Sequence, residues 1–494
     1  MDNHWKNDIV AGFIVFLIAL PLSIGIALAA GVPASAGILS AILGGIIGTL
    51  ITGSHISING PAAGLIVVIS TSVISMSDGD LLLGFKRTLA ATIIAGTLQV
   101  LLGVLRLGKL TFLAPTSVVH GMLAAIGIII MVKQTPVLLG VSPTAKSIPG
   151  LIAELPSLFM HNNGLIFFIG FLAMMLLVIW RYLPKKISTF IPGPLVAVAI
   201  GLFFSYGLDL GGHNDLLLFG KHYTGGSSFL VLVPDSVRDL FIFPKFDIIF
   251  SGRSLMNIMT IFIVGSLESL LSAFAIDKLD PYKRKSDLDK DIIGKGITNI
   301  LCGALGAYPI ITEIVRSSAN ISNGAKTKWA NFFHGIFILL FIVLLPGVIN
   351  HIPLSALAAV LILVGFNLAH PKEFIHVWHT GKEQFFFFIL TLVVTLVEDL
   401  LIGIAVGVIT KLIFHFIRGV RFQDLFKPQI EVKHEDGKSI IHINSNAVFL
   451  GYLKIKKILE STEFNEYVEI NKNEYFVDFT ISELLNEYSE KKNI

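Results

Sequence analysis

The stretch Tyr308-Pro309-Ile310-Ile311-Thr312-Glu313-Ile314-Val315-Arg316-Ser317-Ser318-Ala319-Asn320 lies between two apolar runs and still carries two charges, Glu313 and Arg316. An ionised side chain at the centre of a bilayer costs roughly 2.5–3.5 kcal/mol on insertion scales. Charges retained at that cost point to something that they hold.

The rest of the chain supports a bilayer setting. Hydrophobic residues fill 54% of 494 positions and charged residues 14%, and the mean hydropathy is +0.79; no ordinary soluble domain of this size has that balance. The chain reads as a multi-pass membrane protein with the lipid bilayer as its first partner. A formal net charge of +3 is too small to capture nucleic acid, and the basic residues fall in short loops rather than along one face. Nucleic acid is not an expected partner. A single cysteine, Cys302, excludes an internal disulfide and a thiolate metal cluster, and its place in an apolar run assigns it to helix packing. The first apolar run ends without a small-residue cleavage site and reads as a retained helix.

Runs of about 20 apolar residues cross the hydrocarbon core as helices. They fall near 9–30, 33–52, 87–107, 116–132, 164–182 and 192–207, and again near 255–275, 289–307, 328–349, 353–368, 383–398 and 399–418. Two more, 60–76 and 312–323, are too short to span alone. Together they make fourteen elements, seven in each half. With both termini cytoplasmic, Arg106 and Lys109, Arg181, Lys185 and Lys186, the basic run Lys278 to Lys290, and Lys326 and Lys328 all fall on one side, as the positive-inside rule requires.

Gly53-Ser-His-Ile-Ser-Ile-Asn-Gly-Pro can be laid on Gly306-Ala-Tyr-Pro-Ile-Ile-Thr-Glu-Ile: a glycine, a small residue, a ring, an extended apolar stretch and then a polar residue suited to cap a helix, Asn59 or Thr312. Each copy follows a glycine-rich membrane run. Seven segments per half place the halves inverted in the membrane, and matched interrupted segments in such halves point to a transport site at the midplane. Residues 56–59 and 308–311 are expected to be extended, with helices beginning at Gly60 and Thr312. Two helix N-termini would then face each other, each with free N–H groups and about half a positive charge, an arrangement that suits an anion. Arg316 adds a full charge; the bland alternative is a structural pair with Glu313 or snorkelling to a headgroup. Glu268 is the other charge deep in a span, about 14 Å from Asp277 by helix rise. It suits a proton or a cation, with Ser272 one turn on as a further oxygen.

Several stretches resemble motifs of the sulfate permease (SulP) family of anion transporters: Ala-Leu-Pro-Leu-Ser-Ile-Gly-Ile-Ala around Pro21, Ile58-Asn-Gly-Pro-Ala-Ala63, Ser266-Leu-Glu-Ser-Leu-Leu-Ser272, Arg316-Ser-Ser-Ala-Asn320 and Asp399-Leu-Leu-Ile-Gly-Ile-Ala-Val-Gly407. The resemblance covers residues 1 to about 420. It implies an all-α polytopic fold of fourteen transmembrane segments as 7+7 inverted repeats, with core and gate domains, half-helices at the third and tenth segments, and commonly a homodimer. It further implies an anion held near Ser23, Ala62, Ala63 and Arg316 and a coupling proton or sodium ion at Glu268; Thr312, Glu313 and Ile314 join the expected substrate site, and Ser272 the ion site, by their places in the chain. No cofactor is implied, and a bacterial plasma-membrane location is expected.

Glu313 departs from the family pattern, where a small or hydroxylated residue is common. One charge pair at about 4 Å and an effective dielectric near 20 is worth about 4 kcal/mol, enough to reverse an anion preference. Glu313 is therefore a second proton site, a partner locked to Arg316, or an acceptor for a donor-bearing substrate such as bicarbonate. Nucleobase permeases resemble this fold and use a glutamate in this region, so a nucleobase or dicarboxylate symporter is the nearest rival, with an anion channel behind it.

Residues 425–494 turn to alternating, charged sequence that looks like a shortened STAS module, a small α/β cytoplasmic tail. Its fragment Phe476-Val-Asp-Phe-Thr-Ile resembles a strand of that module; phosphorylation at Thr480 is not assumed. His370, His376, His379 and Glu383 have helical spacing that suits a metal, but Trp378 and Lys382 read as anchors of an amphipathic interfacial stretch. Glu398 and Asp399 read as a solvated turn. The lack of a Gly-rich, Lys-containing phosphate loop argues against direct ATP drive, and no nucleophile paired with a base argues for an enzyme.

Overall fold

The computed structural model describes residues 4–108, 115–145, 147–184, 191–212, 215–218, 221–224, 226–234, 237–398, 400–435, 438–461, 467–471 and 475–492. Lys109, Lys185, Lys186 and Asp399, used above for orientation and for the turn, lie outside them. Two compact units emerge, one of residues 1–108 and 126–369, the other of residues 109–125 and 370–494.

The first unit contains α1 (Trp5–Ala29), α2 (Ala34–Ile51), β1 (Ile58–Pro61), α3 (Ile66–Ser75, entered through a tight turn at Ala63–Leu65) and α4 (Leu81–Val104). It continues with most of α5 (Thr116–Leu139), then α6 (Ile148–Met160), α7 (Gly164–Trp180) and α8 (Gly193–Gly207). After the short strands β2 (Asp215–Leu218) and β3 (Lys221–Thr224) come α9 (Gly252–Leu279), α10 (Leu288–Leu305), β4 (Ile310–Glu313), α11 (Ile314–Ser322), α12 (Trp329–Leu344) and α13 (Leu354–Leu368).

The inverted repeat is visible in how helices touch. Lipid tails are as apolar as leucine, so membrane helices associate by close packing at small residues. A Cβ added at Gly45 of α2 would lie 2.6 Å from the Gly335 Cα of α12, and one at Gly296 of α10 would lie 2.6 Å from the Gly96 carbonyl of α4. Second and eleventh segments thus meet as ninth and fourth do. Cys302 is fully buried in the apolar core formed by α1, α2, α8, α10 and α12.

Three differences from the sequence expectation have local causes. Helix α1 begins at Trp5 because Asp8, almost fully buried, accepts from the Lys326 and Thr327 amides at 2.8 and 3.1 Å. Helix α5 runs past 132 to Leu139, carrying Lys133 with it, because the Lys133 ammonium finds a partner on α3. Helix α6 was not foreseen; it begins at the Ser147 cap and meets α7 at 110°.

The second unit holds α14 (Pro371–Thr380), α15 (Lys382–Val397) and α16 (Leu400–Ile417), followed by the short α17 (Phe422–Phe426) and the tail elements β5 (Ile430–Glu435), β6 (Lys438–Ile443), α18 (Tyr452–Ser461), β7 (Tyr467–Asn471) and α19 (Phe479–Lys492). Strand β5 pairs antiparallel with β6, and β6 pairs parallel with β7; α18 is the crossover that a parallel pair needs. Lys411 of α16 and Asp478, just before α19, form an ion pair of 3.0 Å with neither side chain exposed. Asp478 also accepts from the Thr480 and Phe449 amides at 3.1 and 3.2 Å, and Lys411 reaches Gln384 Oε1 at 3.5 Å beneath the Phe449 ring. Two of the residues weighed as metal ligands are engaged locally: His370 Nδ1 accepts from the Lys372 amide as the α14 cap, and Glu383 pairs with Arg418 at 2.6 Å.

Candidate functional site

Strands β1 and β4 lie antiparallel at the centre of the first unit, with Ile58 opposite Glu313, Asn59 opposite Thr312, Gly60 opposite Ile311 and Pro61 opposite Ile310. β-branched isoleucines favour the extended form, and each strand satisfies the other's backbone groups where no lipid could. That pairing corrects the expected helix starts. The extended segments continue until Ala62 and Glu313, and the helices begin at Ala63 and Ile314 rather than at Gly60 and Thr312. Asn59 and Thr312 are consequently strand residues facing one another, not helix caps.

Side chains from four helices complete the backbone bonding. Asn299 of α10 accepts from the Ile310 amide at 2.7 Å and donates to the Ile310 carbonyl at 3.1 Å. Ser269 of α9 accepts from the Thr312 amide at 3.3 Å. On the β1 side, Ser317 of α11 accepts from the Ile58 amide at 2.8 Å, Asn320 donates to the Ile56 carbonyl at 2.9 Å, and Asn331 of α12 accepts from the Asn59 amide at 3.2 Å. Asp291 of α10, wholly buried, ties the two strands' flanks: Thr52 Oγ1 donates to it at 2.6 Å, Lys295 at 2.9 Å and Thr312 Oγ1 at 3.4 Å.

Arg316 is fully buried on the first turn of α11. Its Nη2 donates to the Pro61 carbonyl at 3.2 Å, while Nε and Nη1 have no protein acceptor. Gly60 makes room for it: a Cβ there would sit 2.6 Å from Nη1. Glu313 precedes Arg316 by three residues, and the two charges lie within electrostatic reach of each other. Glu268 lies against the first turn of the other half-helix, where a Cβ on Gly64 would overlap its carboxylate. Its Oε2 is buried and without a donor. Glu268 and Glu313 lie within electrostatic reach of each other.

The remaining expected site residues are distributed as follows. Ala62 is buried and is the last extended residue before the turn into α3; Ala63 opens that turn. Thr312 is buried and bonded to Ser269 and Asp291. Ile314 is the first residue of α11, with its side chain exposed. Ser23 is buried in α1, which packs against β1 and α3, and its hydroxyl has no partner. Ser272 is buried one turn from Glu268, and no hydrogen bond joins the two. Tyr308, whose hydroxyl donates to the Ala62 carbonyl at 3.4 Å, was read in the sequence only as a ring in the repeat.

Chemically, the arrangement is a cationic donor with unmet N–H groups, next to two helix N-termini and two carboxylates. An unmatched buried charge is costly, and an anion would supply the missing acceptors. The class so defined is a polytopic membrane protein with inverted repeats whose paired half-helices flank buried charges. The sulfate permease family's sequence profile matches residues 5–391, and the chain belongs to that family. A putative sulfate transporter of Bacillus subtilis is 26% identical over 91% of this chain and 81% of its own length. The transmembrane domain of a cyanobacterium bicarbonate transporter superposes with a TM-score of 0.68 at 22% identity, covering 82% of this chain and 98% of that one. Murine Solute Carrier 26 family member A9, an anion transporter, superposes with a TM-score of 0.69 at 14% identity, covering 100% of this chain and 85% of the other.

Proposed function

We propose that this protein is a secondary transporter of small inorganic anions of the sulfate or bicarbonate class, working by alternating access around the β1–β4 crossing. One observation carries the reading: a fully buried Arg316 with two nitrogens, Nε and Nη1, whose N–H groups no protein atom accepts. In this reading Arg316 and the amide ends of α3 and α11 hold the anion, with Ser23, Ala62, Ala63, Thr312, Glu313 and Ile314 around it. The relatives' own descriptions, a sulfate transporter and a bicarbonate transporter, supply the substrate class.

Charge arithmetic argues for coupling. Two carboxylates beside one guanidinium leave the site net negative when all are ionised, so an anion has to arrive with a proton or a sodium ion. Glu268, with Ser272 one turn on, takes that ion. Glu313, beside Arg316, accepts a hydrogen bond from a substrate that carries a proton, as bicarbonate does. The protein is a homodimer in the bacterial plasma membrane with both termini cytoplasmic, with a transporter domain of residues 1–420 followed in the chain by a STAS-like domain of residues 425–494.

The test is uptake of radiolabelled sulfate and bicarbonate into proteoliposomes under imposed proton and sodium gradients. Arg316→Ala is expected to abolish uptake and equilibrium binding, and unchanged affinity would overturn the site. Glu268→Gln is expected to bind anion yet lose accumulation against a gradient; continued accumulation would remove Glu268 from coupling.

A further inference from the structure

Lys133 sits on α5 about 9 Å inside the end of that helix by helix rise. Its Nζ donates to Ser70 Oγ on half-helix α3 at 2.8 Å. Among the described residues no carboxylate pairs with it, so a lysine that offers three donors meets one neutral acceptor. Lysines near helix ends usually extend their ammonium to the bilayer surface. This one turns instead to a buried hydroxyl on a neighbouring helix.

The place of that hydroxyl gives the contact its meaning. Ser70 follows Ala63 by seven residues, two helical turns, so both lie on one face of the half-helix about 10 Å apart. The N-terminal end of this face is the anion seat read above. The residues of α3 itself, Ile66 to Ser75, include no charge that could neutralise the ammonium.

We propose that Lys133 and Ser70 form a second anion-holding station on the transport route, two turns along α3 from the Arg316 seat, which takes the same small oxyanion as it enters or leaves. The inference rests on the anion-transport reading of the central site. A cation without a carboxylate partner focuses anions toward itself, and such focusing changes association rates by about 10- to 1,000-fold where low-dielectric walls confine the field. The station therefore acts on rate, whereas Arg316 acts on binding.

The experiment compares wild type, Lys133→Met, Lys133→Arg, Ser70→Ala and Arg316→Ala in proteoliposomes and detergent, with radiolabelled sulfate and bicarbonate as probes. Uptake at sub-saturating anion is read beside equilibrium binding and thermal stability. Lys133→Met is expected to slow uptake about tenfold or more and to weaken its dependence on ionic strength, with equilibrium affinity nearly unchanged. Lys133→Arg is expected to restore most of the rate, and Ser70→Ala to slow it less than Lys133→Met. Wild-type uptake by Lys133→Met, or an arginine variant no faster than methionine, would overturn the station. Loss of equilibrium binding in Lys133→Met would also overturn it, by making Lys133 part of the central seat. If wild type binds and moves neither probe, the transport reading falls and the station with it; if Arg316→Ala loses binding while Lys133→Met takes up anion at the wild-type rate, only the station falls.

Discussion

Arg316 and Lys411 are both fully buried cations on helices of apolar sequence, and they meet opposite surroundings. Lys411 has the Asp478 carboxylate at 3.0 Å, Gln384 at 3.5 Å and an aromatic face at 5.5 Å. The carboxylate is itself filled by two backbone amides. Arg316 has one carbonyl at 3.2 Å and two idle nitrogens. A buried charge whose partners are all present holds structure together, because removing either member strands the other. A buried charge whose partners are missing stores binding capacity, because a ligand supplies them. The same residue class thus reads as latch in one region and as site in the other, and bonding decides between them.

The latch gives the largest expected effect on stability. Asp478→Ala leaves Lys411 buried and unpaired, and breaking such a pair costs about 3–5 kcal/mol. Thermal denaturation in detergent should show a large fall in Tm. The double variant Lys411→Met/Asp478→Leu should recover most of it, since two apolar groups replace two charges. A harmless Asp478→Ala would erase the contrast.

Arg316→Ala should behave in the opposite way. Losing a buried, hydrogen-bonded charge at a binding interface costs about 2–5 kcal/mol of affinity, whereas the unliganded protein should keep or gain stability, because a poorly matched charge is removed from its interior. Parallel measurement of Tm and equilibrium anion affinity separates the two, and a Tm loss as large as that of Asp478→Ala would make Arg316 another structural cation.

Asn299→Ala sharpens the comparison at the crossing. It strands both backbone groups of Ile310, and an unsatisfied buried group costs about 1–3 kcal/mol. The expected outcome is a moderate Tm loss with weaker anion binding, because β4 sets where α11 begins. Intact affinity in a destabilised variant would show that strand β4 is scaffold alone.

The unequal legibility of the two regions follows from sequence distance. Arg316, Glu313 and Glu268 stood out because each interrupts an apolar run, and a charge in such a run is conspicuous without a partner in view. The half-helices were legible too, but their first turns were placed early, since pairing of β1 with β4 joins residues 249 to 255 positions apart and holds the backbone extended. Asn331 could not be singled out as a strand support for the same reason, whereas Asn299 lies only 11 positions from Ile310 and was passed over because an asparagine in a helical run gives no sign of bonding a strand. Asp291 and Lys295 had a local signal, opposite charges four apart on a helix, that a count of apolar residues passes over. Lys133 ended a predicted span and so looked like its boundary. The latch was hidden because Lys411 and Asp478 are separated by the whole β5–β7 tail, so the carboxylate looked like one more charge in a polar segment.

The smallest effect lies at a partly exposed ion pair, neither sealed nor empty. Asp247, in the segment before α9, accepts from Arg87 Nε at 3.0 Å and Nη2 at 2.7 Å, and these hydrogen bonds hold its pKa down to about 2 from 3.8. A carboxylate depressed in the folded state adds stability that is complete above pH 3.8 and disappears as pH falls through about 2. Asp247→Asn should therefore lower Tm slightly at neutral pH, and the gap from wild type should narrow only within that acid window. Partial solvent access keeps the effect small. Lys411→Met should show a far larger deficit at neutral pH, since its partner is sealed from water. If Asp247→Asn proves as damaging as Lys411→Met, exposure would not be what ranks these ion pairs, and the division between latch, site and partly exposed pair would have to rest on geometry alone.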